Sequence, residues 1–112
     1  MEEYHNLADE AMDNLLETME TLVEERGDAD QEVDYHSGVL TLNLGKHGTY
    51  VINKQPPNKQ IWLSSPISGP KRYDFHEDTG TWVYSRDNST LDGLLSEELS
   101  SIFSETITFS LK

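Results

Sequence analysis

The chain has no cysteine. That absence removes disulfides, thiolate zinc sites, sulfur ligation of clusters and cysteine nucleophiles together. Bases are scarce: eight Lys and Arg stand against 21 Asp and Glu, a formal charge of −13 over 112 residues. A chain so acidic does not hold a phosphate backbone, which excludes nucleic acid as a partner. The same charge disfavours anionic membrane surfaces. No apolar run approaches the ~20 residues of a membrane-spanning helix. No Gly-rich phosphate loop is present, and no serine sits in a recognisable nucleophile elbow. A helical pattern begins almost at once, so no signal or transit segment is expected, as in a processed form.

What is there argues for one domain over residues 1–112. Only 35% of residues are hydrophobic, but ten aromatic residues help fill a modest core. The charge is unevenly placed. Residues 1–34 hold thirteen acids and one base, a net −12, and residues 35–112 hold eight acids and seven bases, a net −1.

Tyr4, Leu7, Ala8, Ala11, Leu15, Met19 and Leu22 recur at three- and four-residue steps, which predicts an amphipathic helix over about 4–26 stopped by Gly27. Short strands follow over about 32–85. Val33–Ser37 and Val39–Leu44 read as one long or broken strand around Gly38. Thr49–Gln55, Gln60–Ser64, Lys71–Phe75 and Thr81–Ser85 come next, joined by turns of a few residues, which predicts an antiparallel meander. Leu91, Leu94, Leu95, Leu99, Ile102 and Phe103 form the stripe of a second helix over about 91–103, capped by Asn88, Ser89 or Thr90. The tail, 104–112, alternates Ile107, Phe109 and Leu111 and is expected to lie extended over the core edge. Helix, run of strands, helix is an α+β order: two helices on one face of an antiparallel sheet of five or more strands.

Two surfaces ask for explanation. Asp9, Asp13, Glu17, Glu20 and Glu24 fall at steps of four, four, three and four, with Glu10 beside them. Those steps stack them on one helix face, where like charges repel. No lysine is interleaved to relieve them. Asp28, Asp30, Glu32 and Asp34 are expected to extend the patch to the first strand edge. Carboxylate oxygens in this array suit hard or borderline cations, bound weakly in the open. His5 would add a nitrogen, and Glu2 with His5 has the Glu-x-x-His spacing of di-iron bundles. Docking on a basic protein and simple solvation explain the same face.

The second surface comes from strand alternation. If Tyr50, Ile52, Ile61, Leu63, Tyr73 and Phe75 face the helices, then Asn53, Gln55, Gln60, Trp62 and Arg72 share the opposite face. An exposed tryptophan beside arginine and amides has the composition of a protein-binding hot spot. The competing reading is that the tail or a loop covers Trp62. Asp78-Thr79-Gly80 matches the triplet of small aspartic proteases, but its polar setting is that of a hairpin turn.

Gly48-Thr-Tyr-Val-Ile-Asn-Lys-Gln-Pro-Pro-Asn-Lys-Gln-Ile-Trp-Leu-Ser-Ser-Pro66 and Ser68-Gly-Pro-Lys-Arg-Tyr-Asp74 resemble the core signature of frataxins of the eukaryotic, mitochondrial type. The acidic helix, Ser37-Gly-Val-Leu-Thr41 and Trp82-Val-Tyr84 are similar as well. The resemblance implies an α-β-α sandwich acting in iron–sulfur cluster assembly in the mitochondrial matrix. It implies binding to the complex of cysteine desulfurase and scaffold protein, promotion of sulfur transfer, and iron (Fe2+/Fe3+) on the acidic ridge. Some members are credited with ferroxidase and iron-storage activity. By position the ridge is Asp9, Glu10, Asp13, Glu17, Glu20, Glu24, Asp30, Glu32 and Asp34, with Thr21 where some members carry a further acid. The assembly-complex contacts are Asn53, Gln55, Asn58, Gln60, Trp62 and Arg72. The expected state is a monomer, with iron-driven oligomers as the alternative.

Overall fold

The computed structural model describes residues 2–26, 31–109 and 111. Gly27, Asp28 and Asp30, expected as helix stop and connector acids, lie outside the described residues, as does the side chain of Glu2.

Helix α1 spans Glu2–Arg26. Its apolar stripe is buried as the spacing requires, and Met12, absent from the expected stripe, is fully buried with Leu15 and Met19. Leu7 is only half-buried. Each fully buried side chain of this size contributes about 1.5–3 kcal/mol.

Six strands follow: β1 (Glu32–His36), β2 (Val39–Asn43), β3 (Thr49–Gln55), β4 (Gln60–Ser65), β5 (Gly69–His76) and β6 (Thr81–Tyr84). They form one antiparallel meander in sequence order. One expectation is corrected. The segment around Gly38 is not a single strand but a hairpin, with His36 paired to Val39 and Glu32 to Asn43. Ser37 and Gly38 have φ of 51° and 79°. Two consecutive left-handed residues make the tight reversal whose twist matches paired strands.

Between β2 and β3 the chain makes a single 3-10 turn over Gly45–His47. Gly48 then has φ of 96°, and a Cβ there would stand 2.5 Å from Cβ of Pro66. Only glycine lets this turn close against the β4–β5 loop. Helix α2 spans Leu91–Phe103 and buries Leu91, Leu95 and Leu99. Thr90 is its cap: its Oγ1 accepts from the Gly93 N–H at 3.1 Å.

Both helices cover the same side of the sheet, with α1 beside β1 and β2 and α2 beside β6. The core between the layers holds Tyr50, Ile52, Ile61, Leu63, Tyr73 and Trp82 from the strands. The tail, expected over the core edge, runs along α2 with Ile107 and Phe109 buried, and serines hold it there. Ser100 Oγ accepts from the Ile107 N–H (2.8 Å) and donates to its carbonyl (3.0 Å). One turn earlier, Ser96 Oγ accepts from the Phe109 N–H at 2.7 Å. These bonds let Ile107 and Phe109 bury their side chains without orphaning backbone groups.

A polar knot closes the α2 end. The Glu98 carboxylate accepts from the Tyr50 and Ser65 hydroxyls, each at 2.7 Å. Ser65 Oγ in turn accepts from the N–H groups of Ile67 and Ser68. Tyr73 is equally buried, yet its hydroxyl has no hydrogen-bond partner among the described residues.

Desolvation pushes both the Tyr50 and Tyr73 hydroxyls well above the ordinary tyrosine range, and Glu98 adds to the effect at Tyr50. The folded chain keeps both protons where the unfolded chain loses them. Stability is therefore full below about pH 10 and falls above it, by up to about 1.4 kcal/mol per pH unit for each group. Urea unfolding across pH 9 to 11 measures that slope. At neutral pH, Tyr50→Phe should cost about 1.5–3 kcal/mol, because a charged acceptor loses its donor. Tyr73→Phe should be neutral or stabilising, because it removes an unpaired buried hydroxyl.

Candidate functional site: an acidic ridge and an open sheet face

Asp9, Glu10, Asp13, Glu17, Glu20 and Glu24 are all exposed on α1. The expectation that no lysine relieves them needs correction. Lys54, near the end of β3, follows Tyr50 and Ile52 on the helix side of the sheet, and its Nζ forms an ion pair with Asp9 Oδ1. The bond to Asp9 raises the Lys54 pKa, so the ammonium charge is held more firmly. The relief comes from the sheet, which helix spacing cannot reveal.

His5, one turn before Asp9, is half-buried with its ring edge-on to Tyr4 at 5.4 Å. Val33 and Tyr35 pack against the core, so Glu32 and Asp34 stand on the other side of β1. The acids of α1 and of β1 thus flank the sheet edge from two sides. Asp30 lies outside the described residues. Among the described residues no three His, Asp or Glu side chains converge on a common point that could hold a metal. The chemistry offered is a row of exposed carboxylates, fitted to hydrated cations that exchange readily.

The opposite side of the sheet is set by register. Asn53 pairs with Trp62, and Trp62 with Arg72. Gln55 pairs with Gln60, and Gln60 with Asp74. Five of the six expected contact residues therefore occupy two adjacent rows across three strands. Asn58, the sixth, is exposed in the 3-10 turn that joins β3 to β4.

The rows are held by their own contacts. The Arg72 guanidinium lies over the Trp62 ring, 4.7 Å from its centroid. The indole N–H donates to Gln60 Oε1 at 2.9 Å, and Gln60 Nε2 donates to Asp74 Oδ1 at 3.1 Å. Trp62 is half-buried by these neighbours. The tail lies on α2, on the far side of the sheet, so it does not cover the ring. Beside Trp62 runs a groove of about 720 Å3, walled by β4, β5 and the Tyr84–Arg86 segment. Sequence reasoning missed Lys71, Asp74 and Arg86 at this groove. Asp74 was the most accessible of them, since it alternates with Tyr73 and Phe75.

The ridge and the face share a joint. The Tyr4 hydroxyl donates to the Gln60 carbonyl at 2.7 Å and accepts from the Gln55 N–H at 3.1 Å.

A sequence profile described as a frataxin-like domain matches residues 1–105. The chain is 54% identical over 107 residues to the mitochondrial frataxin homolog of Schizosaccharomyces pombe, covering 96% of this chain and 68% of that protein. It is 47% identical to mitochondrial frataxin of Arabidopsis thaliana, covering 97% of this chain and 58% of that one. The chain belongs to the frataxin family. Solved frataxins share its fold. Trimeric frataxin of Saccharomyces cerevisiae, complexed with ferrous iron, superposes with a TM-score of 0.79 at 46% identity over 88% of this chain and 87% of that one. A frataxin from Psychromonas ingrahamii gives 0.71 at 29% identity over 96% and 97%.

This frataxin spans 58–68% of the length of the two relatives named first. Its ridge should respond to loss of the β3 lysine. Lys54→Met leaves Asp9 unpaired among its neighbouring acids, and stability should fall by about 1 kcal/mol or less, since Asp9 is half-exposed. The deficit should shrink as salt is added. Urea unfolding at low and high ionic strength, beside Lys54→Arg as the charge-keeping control, measures both effects.

Proposed function

We propose that this frataxin regulates iron–sulfur cluster assembly in the mitochondrial matrix. In this reading the open sheet face grips the complex of cysteine desulfurase and scaffold protein and promotes sulfur transfer. The ridge of α1 carries iron as cargo and docks on basic surfaces of the same complex. The observation that carries the reading is the uncovered row Asn53–Trp62–Arg72, already stacked and hydrogen-bonded before any partner arrives. A pre-ordered aromatic anchor saves the ordering cost of binding, and such anchors concentrate interface energy. The mitochondrial names of the relatives support the location.

A second reading is favoured by the relative solved with ferrous iron as a trimer. Here the ridge is an iron-handling surface with weak ferroxidase chemistry. Anionic oxygen stabilises Fe3+ more than Fe2+, because the harder and more highly charged ion gains more from it. Each Fe2+ gives an electron to dioxygen, which is reduced, and the ridge retains the product. The ridge serves in both readings, so they overlap rather than exclude each other.

Two experiments test the two surfaces one at a time. Trp62→Ala should weaken binding to the assembly complex by roughly 30-fold or more and abolish stimulation of sulfide production, with the fold intact by circular dichroism. Stimulation that survives the substitution would remove the sheet face from the mechanism. In an anaerobic Fe2+ titration followed by backbone NMR, Asp13→Asn with Glu17→Gln and Glu20→Gln should erase the α1 signals' response. An unchanged response would place iron elsewhere.

A further inference from the structure

We infer that the groove beside Trp62 takes an acidic segment of the docking partner, with Arg72 and Arg86 reading its carboxylates. The inference rests on the sheet-face reading above and gives that partner a chemistry.

Of the chain's eight Lys and Arg residues, Arg72 and Arg86 are presented to this one groove; Lys71 borders it in β5, but alternation sends its side chain to the Tyr73 side of the sheet. The single acid lining it, Asp74, has one carboxylate oxygen accepting from Gln60. Asp87, next to Arg86, is turned to its own loop, where it accepts from the N–H and hydroxyl of Ser89. Arg72 is placed by an aromatic ring, its guanidinium lying over Trp62. Stacking of this kind leaves the in-plane N–H fork of a guanidinium open to a carboxylate. Arg86 is exposed on the segment that walls the groove.

The charge map then constrains the partner. The first 34 residues carry −12 and the rest −1. A partner matched only to the ridge would be basic throughout and would meet repulsion at this groove. A partner that engages both must present bases toward α1 and carboxylates toward β5 and the Arg86 loop. A phosphate backbone does not fit the role, since the ridge would repel it along its length. About 720 Å3 holds a few side chains, enough for a short acidic stretch with one apolar residue against the indole.

The test measures binding of the full chain to the desulfurase–scaffold complex, by association and dissociation rates, for Arg86→Glu, Arg86→Lys and Trp62→Ala. Arg86→Glu should lose about tenfold or more in affinity, mainly in the association rate, and the loss should narrow with salt. Arg86→Lys should stay within about threefold of the parent, because it keeps the charge. Arg86 is exposed, so the folds of its variants, checked by thermal melting, should match the parent. If Arg86→Glu binds like the parent while Trp62→Ala fails, the acidic segment is refuted and the sheet-face reading stands. If both bind like the parent, both are refuted.

Discussion

A slip of β4 by one residue against β3 would send Ile61 and Leu63 to water and bury Trp62 among the helices. The register that prevents it sets Asn53 opposite Trp62 and Trp62 opposite Arg72. It is enforced from the buried side. Ile52, Ile61, Leu63 and Tyr73 are at most 2% exposed, so any shift trades core for solvent on three strands at once. The open face owes its order to residues that never touch it. The same parity that points Tyr50 and Ile52 at the helices carries Lys54 to that side, within reach of Asp9.

Charge is separated in the molecule as it is in the sequence, but the separation has a seam. The α1 acids repel one another at helical spacing. Lys54 answers Asp9 from the sheet, while Asp13, Glu17, Glu20 and Glu24 lie farther along the helix toward its C-terminal end. A cation arriving at the ridge therefore meets two kinds of carboxylate. One has a protein ammonium to displace, and the others offer oxygens in the open. On the far side of the sheet Gln60, Trp62, Arg72 and Asp74 are linked to one another by two hydrogen bonds and a stacked guanidinium, which keeps a nearly neutral surface firm without burying it.

Much of this was legible in the residues. Periodicity of 3.6 located both helices to within two residues at their ends, and period two assigned the faces of β3, β4 and β5. The β1–β2 hairpin was missed because Ser37-Gly38 is a weaker turn signal than Asn-Gly, and its flanking runs of five residues join easily into one by eye. Met12 was missed because the stripe at Ala8, Ala11 and Leu15 seemed complete without it. Lys54 and Arg86 were illegible for a deeper reason. Lys54 acts on a helix residue 45 positions away, a contact that no local pattern encodes, and Arg86 comes to the groove only through the pairing of β4, β5 and β6.

The ridge and the face are mechanically one object at the end of β3. Lys54 sits between Asn53 and Gln55 in sequence, and it holds α1 through Asp9. One residue later the Gln55 N–H is bonded to the Tyr4 hydroxyl, which also holds the Gln60 carbonyl across the turn. Tyr4 is wedged edge-on against Trp82, with ring centroids 6.3 Å apart, so the hydroxyl has little freedom to follow a moving strand. Three hydrogen bonds and a packed ring therefore tie the end of β3 and the start of β4 to the first two turns of α1. A long flexible loop at this place would leave the Tyr4 hydroxyl without a fixed pair of backbone partners. The 3-10 turn, with two prolines and Lys59 at φ of 53°, makes the connection short and stiff instead.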